Sequence, residues 1–434
     1  MRRRIFVTTT AAVAALALLA GCGNGDPAAD EPTPIETPTE APDPEPTDDP
    51  EPDPIEFPDL TGVTLTVWSD DTREDGVRQA GEAFTEATGG VVDVVVVDFG
   101  DIGPNARTQI PLGEGPDVFL TAHDGLGENV AAGILSPITL GDVEQEFVPE
   151  AIAACTFDGQ LYCLPIQTEN LGLLRNTELA PTAPSTFDEM IAMGEDAGTE
   201  FPFLMTVTEN GDPFHMYPFQ ASFGALVFGV AADGEWTTDV AMGGDAGHAF
   251  AEWLSEQSDA GIFSTDIGWD QTVAGFGEGN SPFLVSGPWM TGQPGVAELV
   301  EAGVITVDPI PTAGGQPATP FFGVQGFHVS SQAENPVAAQ LFLTQFLTSQ
   351  EAQVTFSNAS GRAPARADAI ALSTAPLIAE FAAAGVGARP MPAIPEMSAV
   401  WEFWGVTQSQ IVEGGDPITL WDTMIANIEA AIAG

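Results

Sequence analysis

The side chains best suited to catalysis or metal binding are few and scattered in this sequence. The four histidines occupy positions 123, 215, 248 and 328, and no His-Glu-x-x-His or Cys-x-x-Cys spacing occurs. No Gly-x-Ser-x-Gly motif marks a nucleophile, and the glycine pairs at 125/127 and 275/277 do not continue into a dinucleotide-binding motif. With 63 acidic residues, a carboxylate pair at glycosidase spacing would prove nothing. The sequence therefore predicts no enzyme, no catalytic residue, no metal and no cofactor.

Two cysteines flank a turn signal. Cys155 and Cys163 lie on either side of Asp158-Gly159, a dipeptide typical of two-residue hairpin turns. Cross-strand neighbours near such a turn come within disulfide range, and an exported chain permits oxidation. Neither cysteine has a basic residue nearby, which disfavours a catalytic thiol. We expect a structural disulfide between Cys155 and Cys163.

The third cysteine, Cys22, ends a pattern typical of export. Arg2, Arg3 and Arg4 precede an apolar stretch over residues 5–20 that is too short to span a membrane. The ending Leu-Ala-Gly-Cys resembles the lipobox of bacterial lipoproteins; an ordinary signal peptide that happens to contain a cysteine is the alternative. We predict a lipoprotein signal peptide over residues 1–21 and a lipidated Cys22. Its acyl chains, palmitate among them, would hold the protein on the outer, extracellular face of the cell membrane.

The segment after Cys22 is acidic and rich in proline. Residues 23–59 contain 13 acidic residues, 11 prolines and no Lys or Arg, so we predict a disordered acidic tether over residues 22–59. The whole chain has a formal net charge of −53, and all ten of its basic residues are Arg. This charge disfavours nucleic acid and phosphate-rich ligands. A lysine-free acidic surface is also typical of an acidic proteome adapted to salt.

The remaining residues, about 375 in number, are too many for one compact core and predict two domains. Residues 63–68 alternate as a strand, residues 74–88 have helical spacing and end at Gly89-Gly90, and residues 91–99 and 117–121 indicate further strands. Strands alternating with helices predict an α/β protein with parallel sheets. Residues 333–434 are rich in helical patterns. Two α/β lobes leave a cleft between them, where small ligands usually bind.

Five blocks of sequence, in order, resemble the maltose/maltodextrin-binding proteins of sugar ABC importers. The resemblance covers residue 60 to the C-terminus, and its blocks are residues 115–124, 158–169, 276–289, 311–321 and 391–401. It implies a two-lobed periplasmic-binding-protein (type II) architecture with a hinge of three crossovers, near 167–170, 324–327 and 374–376. The amino-terminal lobe would comprise residues 60–168 plus 325–374. The carboxy-terminal lobe would comprise residues 169–324 plus 375–434.

The same resemblance implies which residues hold a sugar. Carboxylates accept hydrogen bonds from sugar hydroxyls, and flat aromatic rings cover the C–H faces of sugar rings. The matching positions are Asp124, Glu169 and Asp212 for hydroxyl binding, Trp289 and Trp401 for stacking, Phe214 where the family carries a Tyr, and Asp71 and Arg73 in the loop after the first strand. Structural alternatives stay open, because Asp124 would also suit a loop cap, Phe214 a core position, and the two Trp residues packing between lobes.

Two departures from the family pattern leave the ligand open. Thr121 replaces a stacking Trp, and Gly125 replaces a basic residue, so maltose, longer maltodextrins, trehalose and other disaccharides all remain candidates. The resemblance implies a monomeric, lipid-anchored substrate-binding protein that captures an oligosaccharide in the interlobe cleft and delivers it to ABC permease subunits. A receptor of the same fold for a polyol or another glycan is one alternative. A surface glycan hydrolase is the alternative from a different class.

Overall fold

A computed structural model of the chain describes residues 56–232 and 234–433. The predicted signal peptide, Cys22 and nearly all of the predicted tether lie outside the described residues. Within the described part of the chain, no helix combines the length and apolar character needed to cross a bilayer.

Fifteen strands occur in the described residues. They are β1 (Thr64–Ser69), β2 (Val91–Val96), β3 (Val118–Ala122), β4 (Leu135–Ser136), β5 (Thr156–Phe157), β6 (Gln160–Leu161), β7 (Leu164–Asn170), β8 (Gly172–Asn176), β9 (Phe228–Val230), β10 (Trp236–Val240), β11 (Phe283–Ser286), β12 (Ile305–Asp308), β13 (Phe321–Ser330), β14 (Ala363–Pro364) and β15 (Arg389–Pro390). The larger sheet has the order β14-β7-β13-β3-β1-β2, with β4 and β15 also paired to β13. A smaller sheet has the order β11-β8-β12, and β5-β6 and β9-β10 are separate two-stranded ribbons.

Fourteen α-helices accompany these strands in the same residues. They are α1 (Asp71–Thr88), α2 (Phe99–Gln109), α3 (Leu126–Ala131), α4 (Pro149–Ala154), α5 (Phe187–Ala197), α6 (Pro213–Ser222), α7 (Gly244–Asp259), α8 (Trp269–Gly277), α9 (Val296–Glu301), α10 (Pro336–Leu341), α11 (Gln350–Ser360), α12 (Ile378–Ala384), α13 (Met397–Val412) and α14 (Pro417–Ala433). A π-helix covers Phe342–Leu347, and short 3₁₀ turns include His123–Gly125 and Pro288–Gly292.

The first elements follow the sequence pattern with small shifts. Asp70 caps α1, so the helix begins at Asp71, before the predicted start at residue 74. It ends at Gly89, whose φ of 76° is the left-handed conformation that glycine adopts readily. Strand β2 ends at Val96, before the predicted end at residue 99, because Phe99 already begins α2.

The prediction of parallel sheets is only partly right. Strand β1 pairs in parallel with β2 and β3, as in a β-α-β unit. In contrast, β13 pairs antiparallel with both β3 and β7, and both pairings of β8 are antiparallel. Strand β13 reaches the larger sheet from more than 190 residues beyond β3, and no local pattern sets the direction of so remote a strand.

Apolar side chains form two large cores and a small one. The first core draws on residues 65–166 and 324–365, and the second on residues 171–321 and 391–428. The small third core uses residues 174–307 and 381–384. Between β7 and β8 only Leu171 intervenes, so the chain leaves the larger sheet and enters the smaller one within a single residue. In the smaller sheet, buried Arg175 donates from Nε to Asp308, at 2.7 Å.

The β5-β6 ribbon has the predicted turn. Asp158 and Gly159 have φ values of 48° and 73°, and two successive positive φ angles characterise the type I′ turn that Asp-Gly favours. A disulfide joins Cys155 and Cys163 across the base of this ribbon, with Cα atoms 5.1 Å apart, and both residues are buried in the first core.

Candidate ligand-binding site

The first turn of α1, which follows β1, contains the cationic residue Arg73. Arg73, in the first turn of α1, is 2% exposed and forms an ion pair with Asp70. Its Nε donates to the side chain of Gln167 at 2.9 Å, and its guanidinium lies 5.5 Å from the ring centroid of Phe99. Burial lowers the pKa of Arg73 to about 10, which still leaves the group charged at neutral pH. Asp71 is exposed, so the structure places Asp70, rather than the predicted Asp71, beside this cation.

Glu169, near the end of β7, connects this cation to an aromatic ring. Its carboxylate forms an ion pair with Arg362 and accepts from the Gln325 amide, with 3.3 Å between Nε2 and each carboxylate oxygen. The Arg362 guanidinium carbon in turn lies 4.9 Å from the ring centroid of Trp289. The neighbour of Glu169 on β13 is Gly323, and the lack of a side chain there leaves room for Glu169. A Cβ atom at position 323 would come within 2.7 Å of the Glu169 side chain.

The N-terminus of α6 adds a carboxylate and a second ring. Asp212 caps the helix, accepting from the His215 backbone N–H at 3.1 Å and contacting its Nδ1 at 2.7 Å. Phe214 lies 6.2 Å from Trp289 between ring centroids. Trp289 lies against Gly287, where a Cβ atom would come within 2.2 Å of the indole ring. Any larger residue at position 287 would therefore displace this indole.

A contact between Asp124 and Trp401 joins an element of the first core to an element of the second. Asp124 lies in the 3₁₀ turn that follows β3, and Trp401 lies in the first turns of α13 and packs against the second core. The indole Nε1 of Trp401 donates to the Asp124 carboxylate at 3.0 Å. A carboxylate beside an aromatic ring is the combination that grips the edge and the face of a sugar.

Thr121 occupies the position where the resembled family has a ring. Its side chain is 8% exposed, and its hydroxyl lies 2.8 Å from Nε2 of His328. The His328 Nδ1 faces the Tyr162 carbonyl at 3.0 Å. A carbonyl only accepts, so Nδ1 carries the ring hydrogen and Nε2 accepts from Thr121. Burial lowers the pKa of His328 to about 4, which keeps the ring neutral. Thr121 thus bonds inward and offers no platform for a ligand.

The structure groups the sequence-predicted residues into three contacts. Arg73 and Glu169 interact electrostatically through the same cluster that includes Arg362 and Trp289. The Phe214 ring lies near Trp289, and Phe214 lies in the helix that Asp212 caps. Trp401 donates a hydrogen bond to Asp124. Asp71 joins none of them. The sequence analysis did not identify four side chains that hold the charged residues in place: Asp70, Gln167, Gln325 and Arg362.

One signal could have drawn attention to Arg362. Only seven arginines follow the apolar N-terminal stretch, so each is a scarce cation in a chain with 63 acidic residues. No group of three or more His, Cys, Asp or Glu side chains in the described residues is arranged to hold a metal ion. The chemistry available at the site is therefore hydrogen bonding by carboxylates, guanidinium groups and amides, together with stacking on aromatic rings.

Two α/β cores with carboxylates and aromatic rings facing each other between them define a two-lobed binding protein. The chain belongs to the bacterial extracellular solute-binding protein family, whose model matches residues 79–384. The fold is similar to that of the Thermus thermophilus maltotriose binding protein bound with maltotriose, with a TM-score of 0.75 and 28% identity over 85% of this chain and 100% of that one. This similarity confirms the predicted fold class, a two-lobed periplasmic-binding-protein architecture of type II.

Two relatives are similar over most of their length. The galactooligosaccharide-binding protein of Bacillus subtilis is 26% identical over 356 residues, which are 78% of this chain and 82% of that protein. The maltooligosaccharide ABC transporter solute-binding lipoprotein of Streptococcus pneumoniae is 24% identical over 355 residues, 78% of this chain and 81% of that protein. The resemblance to receptors of sugar ABC importers is thereby confirmed.

Proposed function

We propose that this protein captures an oligosaccharide of the maltodextrin type between its two large cores and delivers it to the permease of an ABC importer. The observation that carries the proposal is that two carboxylates lie close to aromatic rings: Asp124 accepts from Trp401, and Glu169 pairs with Arg362, whose guanidinium lies over Trp289 beside Phe214. Similarity to proteins named for maltotriose and maltooligosaccharide binding supports this ligand class. Asp212 completes the set of hydroxyl-binding carboxylates that we assign.

Within this proposal the buried charges position the ligand-binding groups. Arg362 holds one oxygen of Glu169, so the other oxygen keeps a fixed direction towards a sugar hydroxyl. Arg73 is held by Asp70 and Gln167, and it adds positive charge behind Glu169. We assign Asp70 a positioning role beside Arg73, whereas the sequence analysis had placed Asp71 among the residues that hold the sugar.

We further propose the predicted lobes and the predicted anchor for this chain. The amino-terminal lobe, residues 60–168 plus 325–374, would follow the first core, and the other lobe, residues 169–324 plus 375–434, would follow the other two cores. In support, Ile166 lies in the first core whereas Leu171 lies in the second. The pneumococcal relative is named a lipoprotein, which supports attachment through a lipidated Cys22 to the outer face of the cell membrane. The protein would act as a monomer.

Isothermal titration calorimetry on the purified chain tests the ligand class. We expect maltotriose to bind more tightly than maltose and trehalose, because a longer glucan covers more of the three rings. A galactooligosaccharide is the decisive comparison, since one relative is named for that ligand. Tighter binding of the galactooligosaccharide would reassign the substrate within the same fold. An absence of binding heat with every gluco-oligosaccharide would overturn the proposal.

A pair of tryptophan variants tests the location of the site. Trp289→Ala removes a ring proposed to stack on sugar, and we expect maltotriose affinity to fall by roughly ten- to a hundredfold. Trp269→Ala is the matched control, because Trp269 is 38% exposed and lies in α8, a helix that carries none of the assigned residues. Equal affinities of the two variants would place the sugar elsewhere.

The proposal also separates a receptor from a glycan hydrolase. A receptor binds reversibly and returns its ligand intact, so labelled maltodextrin incubated with the protein should be recovered at its original length. Shortened products that disappear in a Glu169→Gln variant would instead assign catalysis to this site.

A further inference from the structure

His215 contacts three of the residues that we assign to the sugar, and it holds one of them by two bonds. It lies in the first turn of α6, three residues after the cap Asp212, and residues at this spacing lie on the same face of a helix. One oxygen of the Asp212 carboxylate accepts from the His215 backbone N–H at 3.1 Å, and the other lies 2.7 Å from the ring Nδ1. Because a carboxylate only accepts, Nδ1 carries the ring hydrogen. His215 thus fixes the direction of the Asp212 carboxylate.

The imidazole of His215 also lies edge-on against two assigned rings. Its ring centroid is 5.8 Å from that of Phe214 and 5.9 Å from that of Trp289, with interplanar angles of 85° and 90°. Edge-to-face contact is one of the preferred arrangements of flat rings. The side chain of His215 is 9% exposed, whereas that of Asp212 is 22% exposed. A buried imidazole therefore places a partly exposed carboxylate beside two half-buried rings.

The second ring nitrogen of His215 makes this residue a poor choice for stability alone. Its Nε2 is buried and has no hydrogen-bond partner among the described residues. An unpaired buried polar atom destabilises a folded protein relative to an apolar group of similar shape. A phenylalanine at position 215 would keep the ring contacts without this unpaired atom. What a phenylalanine could not supply is the Nδ1 contact with Asp212.

We propose that His215 is a positioning residue of the sugar site, which orients the Asp212 carboxylate towards a hydroxyl of a sugar that stacks on Phe214 and Trp289. This role rests on the proposed sugar-binding function. Without the Nδ1 contact, the Asp212 carboxylate rotates more freely, and binding must then order it. A group that is already ordered binds more tightly because that loss of entropy does not accompany binding.

Two substitutions separate the Nδ1 contact from the ring contacts. His215→Phe keeps a ring and removes the donor, whereas His215→Asn keeps an N–H donor near the Nδ1 position and removes the ring. In calorimetry, the affinity for maltotriose should fall by about tenfold in His215→Phe and by less than about threefold in His215→Asn. Urea denaturation of His215→Phe should give a midpoint equal to or above that of the parent, because the unpaired nitrogen is gone. A purely structural histidine predicts the opposite, a lower midpoint with unchanged affinity.

A double-mutant cycle tests whether His215 acts through Asp212. Asp212→Asn keeps a good helix cap and removes the charged carboxylate. If His215 only orients that carboxylate, adding His215→Phe to Asp212→Asn should change the maltotriose affinity by less than about twofold. Additive losses of affinity would overturn the positioning role.

His248 provides the matched control for these variants. It also pairs with an aspartate, with 2.6 Å between its Nε2 and Asp422, but it lies in α7, which carries none of the assigned residues. His248→Phe should leave the affinity for maltotriose unchanged. If the parent binds maltotriose, an unchanged affinity in His215→Phe, or a loss in His215→Asn as large as in His215→Phe, would overturn the role of His215 alone. A parent that binds no gluco-oligosaccharide would overturn the proposed function, and the role of His215 with it.

Discussion

The two sides of the proposed sugar site are built on different principles. On one side, Arg73 and Arg362 are buried, the Glu169 side chain is only 9% exposed, and all three are already bonded to protein partners. On the other side, Phe214 and Trp289 are half-buried and make mainly ring contacts with their neighbours. Paired buried charges hold positions, whereas accessible rings offer contact area to a ligand. Changes on the charged side should therefore reduce stability, and changes on the aromatic side should reduce sugar affinity.

The largest effect is expected from Glu169→Ala. This variant leaves Arg362 buried without its carboxylate, which should lower the free energy of unfolding by about 3–5 kcal/mol. Glu146→Ala is the control, because Glu146 is 45% exposed in its ion pair with Arg366, and it should cost less than about 1 kcal/mol. Urea denaturation measures both. Similar losses in the two variants would contradict the assignment of Glu169 to a buried charged cluster.

Acid should weaken the sheet behind the charged side through His328. The pKa of this group is about 4 in the folded protein against 6.5 for the free side chain, so the unfolded chain takes up the proton first as the pH falls. Neutral His328 therefore contributes about 3 kcal/mol to the free energy of unfolding. This contribution is fully present above about pH 6.5 and is lost as the pH falls towards 4. Urea denaturation between pH 7.5 and 4.5 should show a flatter pH dependence in His328→Gln than in the parent. The partly exposed His248 provides the control, and an equally flat profile in His248→Gln would contradict this reasoning.

Trp401→Phe tests the contact between the two cores. The variant keeps an aromatic ring but removes the N–H that donates to Asp124, and we expect sugar affinity to fall by about tenfold. Trp404→Phe is matched to it, because Trp404 lies on the same helix and donates to Gln220 at 2.9 Å within the second core. That control should lower stability and leave affinity unchanged. Calorimetry with maltotriose distinguishes the two, and the reverse result would remove Trp401 from the site.

Phe214→Tyr should produce the smallest change. It restores the hydroxyl that the resembled family carries, and one added hydrogen bond to sugar should raise affinity by a few fold. Phe214→Leu keeps apolar bulk but removes the ring, and it should lower affinity by a similar factor. Calorimetry on both variants measures the difference. A weaker affinity for Phe214→Tyr than for the parent would show that this ring packs in the core and does not face a ligand.

The sequence predicted most accurately the local features, which depend on residues that are neighbours in the chain. The alternation around β1, the glycine that ends α1 and the Asp158-Gly159 turn all appear in the structure near their predicted places. Asp70 and Asp71 illustrate the limit of that precision. Either carboxylate could cap α1, and one residue of shift decides which becomes buried against Arg73.

Long-range contacts were beyond the reach of local patterns. Arg362 meets Glu169 across 193 residues of chain, and Gln325 meets it across 156. The residues around Arg362 form no pattern that would identify its role. Which residue Arg362 pairs with depends on how β7, β13 and β14 assemble. The antiparallel direction of β13 was missed for the same reason. The ordered similarity blocks led us to predict the aromatic residues and Glu169, since those blocks carry information about a whole fold, and the sugar-binding role of these residues stays a prediction.

The burial of arginines has a consequence for how long such a protein survives outside a cell. Arg73, Arg175 and Arg362 are all less than 10% exposed, and the chain contains no lysine. Trypsin-like proteases, which cut after Arg or Lys, therefore find few accessible bonds in the folded chain, with Arg78 and Arg389 among the most exposed. Residues 23–59 contain no basic residue at all. A protease of this specificity could not cut within that segment, which would connect the rest of the chain to the lipid anchor proposed at Cys22.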